Sequence, residues 1–150
     1  MRYEPAAKNP PAGGCQPGTR ALAAAVRTVY PELQSLTSTY GCYNHRKMAG
    51  SSSWSLHAEG RACDIGVTSR EVETGWNLAC DLVAQRIVYG TMRVMWAGHI
   101  WSIEHASDWR PLKPSSNQHL DHLHVEQYWA AALRPLSVQW VYEEQLRAAR

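Results

Sequence analysis

The chain has 150 residues, enough for one domain with a sizeable core and too few for two comfortable ones. Hydrophobic residues make up 45% and charged residues 19%, the balance of a water-soluble globular protein, and no apolar run nears the roughly 18 residues of a membrane span. Fifteen basic and thirteen acidic side chains leave a net charge of +2, and the basic ones are scattered, which excludes nucleic acid and membrane insertion as expected partners.

Residues 1–17 hold four of the eight prolines and read as an irregular N-terminal arm. The arm lacks the charged start and apolar middle of a secretory signal, so either the chain is not exported by that route or its leader has been trimmed. Thr19 to Tyr30 follows a helical period, with Leu22, Ala25, Val26 and Val29 on one face and Pro31 marking the end. A short strand is predicted over 34–40, then a polar loop to Trp54. The segment SLHAEGRACDIGV reads as a loop leading into a buried strand from about Arg61 to Val67. Thr68 and Glu71 have the spacing of a capping box. A helix is predicted from there to about Val88, with Val72, Trp76, Ala79, Leu82 and Val83 inward and Tyr89-Gly90 closing it.

TMRVMWAGHIWS reads as a hairpin turning at Ala97-Gly98. A polar loop from His105 to His119 leads into a DHLHVEQ strand, and the segment from about Leu136 to Arg150 contains a last helix. The order of elements predicts one α+β domain over 1–150, a small mixed but mainly antiparallel sheet packed by helices. Cys15, Cys42, Cys63 and Cys80 show no CxxC spacing, which disfavours a cysteine metal site, and they allow three full pairings. Cys63 and Cys80 lie in apolar stretches and read as buried free thiols. Cys15 and Cys42 lie in Gly-rich loops and are the better candidates for a disulfide.

The chemistry gathers in two short motifs. His57 and Asp64 are seven residues apart with Gly60 between them, a spacing that fits a bent loop entering a strand and no single helical face. His122 and His124 project to one side of a strand, so both imidazoles can face one site. A lone histidine is by default a surface residue. Three groups of the types that zinc accepts, within two compact motifs, instead predict one zinc ion on His57, Asp64 and His124, in a cleft on the sheet. Three protein ligands leave one position open for water, as catalytic zinc sites do. The other assignment makes His122 a fourth ligand and the ion structural. Strand alternation turns Asp121 away from His122 and His124, so Asp121 needs a bent backbone to reach the same site.

Ser55-Leu-His57-Ala-Glu-Gly60-Arg-Ala62-Cys-Asp64 resembles the SxHxxGxAxD signature of the M15 zinc peptidases, which include D-Ala-D-Ala carboxypeptidases and phage endolysins. Asp121-His122-Leu123-His124 is similar to their second signature, and TYGCYNHR resembles the related extensin-like C-terminal domains. The resemblance covers roughly residues 15–130. It implies zinc on His57, Asp64 and His124, Asp121 as general base and His122 as stabiliser of the transition state. It also implies a substrate- or oxyanion-contacting arginine, for which Arg46 is the candidate. Ser55 is expected to hydrogen-bond within the site and Trp54 to line the cleft, both touching substrate. His119 reads by default as a loop histidine, with flanking the cleft or supporting a ligand as the other reading, and Glu59 and Glu126 are expected to be surface charges or partners of the ligands.

The implied function is hydrolysis of peptide bonds in bacterial peptidoglycan by a monomeric endolysin, with the stem peptide as partner. Such an enzyme is made in the host cytoplasm without a signal peptide and acts on the wall. The alternatives are a D,D-carboxypeptidase acting on wall precursors, exported with a leader since removed, and a non-catalytic wall-binding module that keeps the zinc.

Overall fold

A computed structural model describes residues 2–33 and 41–150, so the strand expected over 34–40 lies outside the described residues. Among the described residues, five strands form one sheet: β1 Ala62–Gly66, β2 Thr91–Trp96, β3 His99–Ser102, β4 Arg110–Pro111 and β5 His122–Gln127. They lie in the order β1-β5-β2-β3-β4. Among the described residues every pairing is antiparallel, where a mixed but mainly antiparallel sheet was expected. The helices are α1 Pro17–Val29, α2 Val72–Ala84, α3 Arg86–Tyr89, α4 Trp129–Ala132 and α5 Gln139–Ala149. Together they make a small α+β protein.

Local chemistry explains most element ends. Pro17 sits at the start of α1, where its missing N–H costs nothing. Ahead of α2, the Thr68 N–H donates to the Glu71 carboxylate at 2.8 Å, one half of the expected capping box. The single helix expected to run to Val88 breaks at Gln85, leaving α2 and the short α3, which Gly90 closes in a left-handed conformation. Ala97 and Gly98 both have positive φ, 47° and 79°, the pattern of a type I′ turn that matches the twist of the β2–β3 hairpin. The expected loop from His105 to His119 contains β4, which pairs with β3.

The sheet has two unlike faces. One presents Cys63, Ile65, Val94, Trp96, Leu123 and Val125 to α1, α2 and α5, where Leu22, Val26, Leu78, Leu82, Tyr142 and Leu146 complete the core. Each such side chain contributes roughly 1.5–3 kcal/mol by leaving water. Two inward expectations fail at α2: Val72 is 41% exposed at the helix start, and the Cys80 thiol is exposed. Val72 shares the stripe of Gly75 and Ala79 but is the first residue of α2, and Cys80 lies with the exposed Glu73, Asn77 and Ala84, whereas Cys63 is buried in β1 as expected.

The opposite face carries the alternate residues of the same strands: Asp64, His122, His124, Glu126, Arg93 and Met95. The N-terminal arm lies against one end of this face, where Tyr3 and Ala6 pack on Leu56, Ala62 and Met92. Arg61, fully buried, holds the arm down. Its guanidinium donates to Glu59 at 2.6 Å, to the Glu4 carbonyl at 2.7 Å and to the Pro5 carbonyl at 3.0 Å. A Cys15–Cys42 disulfide ties the base of the arm to the loop before the first motif, as expected.

Candidate metal centre

The three expected ligands converge from three places in the chain. His57 comes from a 3-10 turn over Leu56–Glu59, which Ser55 caps: the Ser55 hydroxyl accepts from the His57 N–H at 3.3 Å. Gly60 ends this turn at φ +68°, a conformation that disfavours side chains, and a Cβ there would also collide with the Gly14 carbonyl. Asp64 and His124 face each other directly across β1 and β5.

His57 Nε2 lies 3.2 Å from Asp64 Oδ2 and 3.2 Å from His124 Nδ1, and His124 Nδ1 lies 2.8 Å from Asp64 Oδ1. This buried group of two imidazoles and a carboxylate could hold a metal ion. Its electrostatics are those of a coupled site. Burial alone would raise the Asp64 carboxyl, but hydrogen bonds from His124 and His57 hold it well below the usual carboxylate range. Burial likewise opposes charge on His124, yet Asp64 and Glu126 together push it up to about 9.

The cluster forms part of the wall of a cavity of about 610 Å³. His122, His119, Glu126, Arg93, Arg46 and Ser55 line the same cavity. His122 stays outside the ligand group, with Nε2 3.9 Å from Asp64 Oδ1. Its Nδ1 donates to Asp121 Oδ1 at 2.7 Å. Asp121 immediately precedes β5, does not line the cavity, and reaches this site through His122. Its side chain is 68% exposed against 11% for His122.

Arg46 stands on the exposed loop at the cavity rim. Trp54 turns elsewhere: it stacks on His45, ring centroids 4.6 Å apart, and lines a neighbouring cavity with Tyr3, Ala6 and Leu56. His119 is buried at a positive φ of 50°, its Nδ1 held by the Asn117 carbonyl at 2.8 Å. Burial and the neighbouring His124 and His122 push it down to about 4, so it is neutral at pH 7. Glu59 serves the arm: it accepts from Arg61 and from the Ala7 N–H at 2.7 Å. Glu126 serves the cluster: its Oε1 meets His124 Nε2 at 3.2 Å.

Arg93 and Tyr3 are the site's unforeseen members. The Arg93 guanidinium lies 3.4 Å from Glu126, and the Tyr3 hydroxyl donates to the same carboxylate at 2.8 Å. Strand alternation through β2 contained the signal for Arg93. Nothing local pointed to Tyr3, which lies 121 residues from His124.

Residues 11–123 match the family described as VldE, C-terminal domain, across three quarters of the chain. The chain belongs to this family. The match takes in His57, Asp64, Asp121 and His122 and ends one residue before His124. No curated protein and no solved structure matches the chain.

Proposed function

We propose that this domain is a zinc-dependent peptidase that hydrolyses peptide bonds in the stem peptides of bacterial peptidoglycan, as endolysins do. The observation that carries this reading is the three-ligand group in the cavity wall, with the Asp121–His122 pair beside it. The donor set suits zinc. Zinc bonds of about 2.0–2.1 Å arranged tetrahedrally place ligand atoms roughly 3.3 Å apart. Here the contacts among the three side chains are 2.8–3.2 Å, slightly inside that spacing, so the ligands need only move apart by a few tenths of an ångström at most to reach it. When bound, zinc lowers the pKa of its water to about 7 and polarises the scissile carbonyl.

The chain's own residues supply the rest. Asp121 holds the Nδ1–H of His122, which fixes the ring and leaves Nε2 toward the cavity. As the water oxygen joins the carbonyl carbon, His122 Nε2 takes its proton. The same atom passes that proton to the amine nitrogen as the C–N bond breaks, leaving a carboxylate and an amine. Arg46 at the rim is placed to meet a substrate carboxylate or the oxyanion. A cavity of about 610 Å³ falls within the 300–1,000 Å³ typical of ligand sites. The Cys15–Cys42 disulfide supports a place of action outside the reducing cytosol.

Zinc-loaded protein incubated with purified peptidoglycan should release fragments bearing new amino groups, identified by mass spectrometry, and should lower wall turbidity. Release of free D-Ala alone would mean a carboxypeptidase, and no release at all refutes the reading. His57→Ala should lose stoichiometric zinc. Full occupancy in that variant removes His57 from the ligand set.

A further inference from the structure

We propose that Tyr3, from the N-terminal arm, and Arg93, from β2, are positioning residues for the metal centre, acting through Glu126 on His124. The inference rests on the reading of His57, Asp64 and His124 as metal ligands. His124 has two ring nitrogens with separate tasks. Nδ1 faces Asp64 and His57, while Nε2 meets Glu126 Oε1 at 3.2 Å. A carboxylate on the far nitrogen fixes the proton there, directs the lone pair of the near nitrogen into the site and raises its basicity.

Glu126 can do this only if it is itself held. It is 4% exposed and stands directly across from Arg93 in the sheet. Its second oxygen, Oε2, accepts from the Tyr3 hydroxyl at 2.8 Å and lies 3.4 Å from the Arg93 guanidinium. Arg93 Nη1 also donates to the Tyr3 hydroxyl at 3.0 Å and sits over its ring, 4.1 Å from the centroid. The three groups form a closed triangle that holds the carboxylate toward His124.

Tyr3 belongs to no helix or strand, so its place depends on anchors in the residues that follow it. The Glu4 N–H meets Met92 Sδ, Arg61 binds the carbonyls of Glu4 and Pro5, and Glu59 binds the Ala7 N–H. Without the Tyr3 hydroxyl, Glu126 Oε2 keeps only the longer contact to Arg93. The carboxylate is then free to turn away from His124. An arm that begins as an irregular segment thereby becomes part of the ligand set's support.

The test is zinc affinity of the full chain, measured by competition with a chromophoric chelator, with the absorption spectrum of the cobalt(II) form beside it. Glu126→Gln should weaken zinc by about 10–100-fold, the usual effect of losing such a partner. Tyr3→Phe keeps the ring over Arg93 and should weaken zinc by about three- to tenfold, the worth of one hydrogen bond. Both should shift the cobalt bands while leaving the melting temperature of the metal-free protein within a degree or two. The Y3F/E126Q double variant should bind no worse than E126Q alone, because Tyr3 acts through Glu126.

Wild-type affinity and an unaltered cobalt spectrum in Y3F would overturn the proposal, as would additive losses in the double variant. If Y3F does not fold, Arg93→Met decides by the same readings. A wild-type chain that binds no zinc overturns the metal reading itself, and this inference with it, an outcome distinct from any difference among variants.

Discussion

The Asp121 carboxylate stands mostly in water, while the imidazole that it holds is almost wholly buried. The hold of this carboxylate on Nδ1 leaves the other ring nitrogen of His122 toward the cavity. If the two act as one unit, Asp121→Ala and His122→Ala should each lower kcat/KM on a stem peptide by about 10²-fold, with zinc content unchanged. The double variant should be no slower than the slower single. Losses that multiply would mean that Asp121 takes the proton directly. His119 shows how a residue that reads as an ordinary loop histidine enters a site. Its left-handed backbone, costing of order 1–3 kcal/mol for a non-glycine residue, is held by its bond to Asn117 and brings its ring to 4.9 Å from that of His122. A sequence displays the residue type but not that backbone, so a place flanking the cleft was open to His119 only as a second reading, and its contact with His122 was not legible.

β5 and the N-terminal arm are the two elements that build the centre, and they were legible to very different degrees. In β5 the order His, Leu, His, Val, Glu already separates the site from the core, and the structure places 122, 124 and 126 on one face with 123 and 125 on the other. Strand period and side-chain class were sufficient there. The helix of residues 17–29 was readable for the same reason, its buried stripe running through Leu22, Ala25, Val26 and Val29. The expected helix to Val88 fails at Gln85, where no proline or glycine warns of the break. The arm was readable as irregular and no further, because its partners are remote in sequence: Glu59 for Ala7, Glu126 for Tyr3, Tyr43 for Gly13. Trp54 was placed in the cleft from its nearness to His57 in the chain, but the strand-like path from Trp54 to Leu56 turns its ring into the neighbouring cavity. The arm's anchor gives a stability prediction. Glu59→Ala leaves the fully buried Arg61 guanidinium with only the more distant Glu4 carboxylate at 3.8 Å and should cost about 3–5 kcal/mol in denaturant unfolding. A cost under 1 kcal/mol would mean that the arm is not held through this pair.

For the molecule as a whole, the Cys15–Cys42 bridge closes a loop of 27 residues that contains α1, and it joins the arm to the loop bearing Arg46. On the loop-entropy account, cross-linking a span of this length contributes roughly 3–4 kcal/mol. Reduction, or a Cys15→Ser/Cys42→Ser variant, should lower the denaturation midpoint accordingly, and calorimetry on oxidised and reduced protein measures the difference. The effect should reach the centre, because the Asp64 N–H donates at 3.1 Å to the carbonyl of Gly41, the residue beside Cys42. One consequence follows from the two-faced pairing of β1 with β5. Asp64 meets His124 only while Leu123 and Val125 are turned into the core, since a slip of one residue sends every side chain of the strand to the other side. A misthreaded chain would bury its imidazoles among leucines and have nothing with which to chelate. If this group holds a metal ion as proposed, three-ligand capture reports that the strands have paired in register, and ion uptake during refolding would time that event.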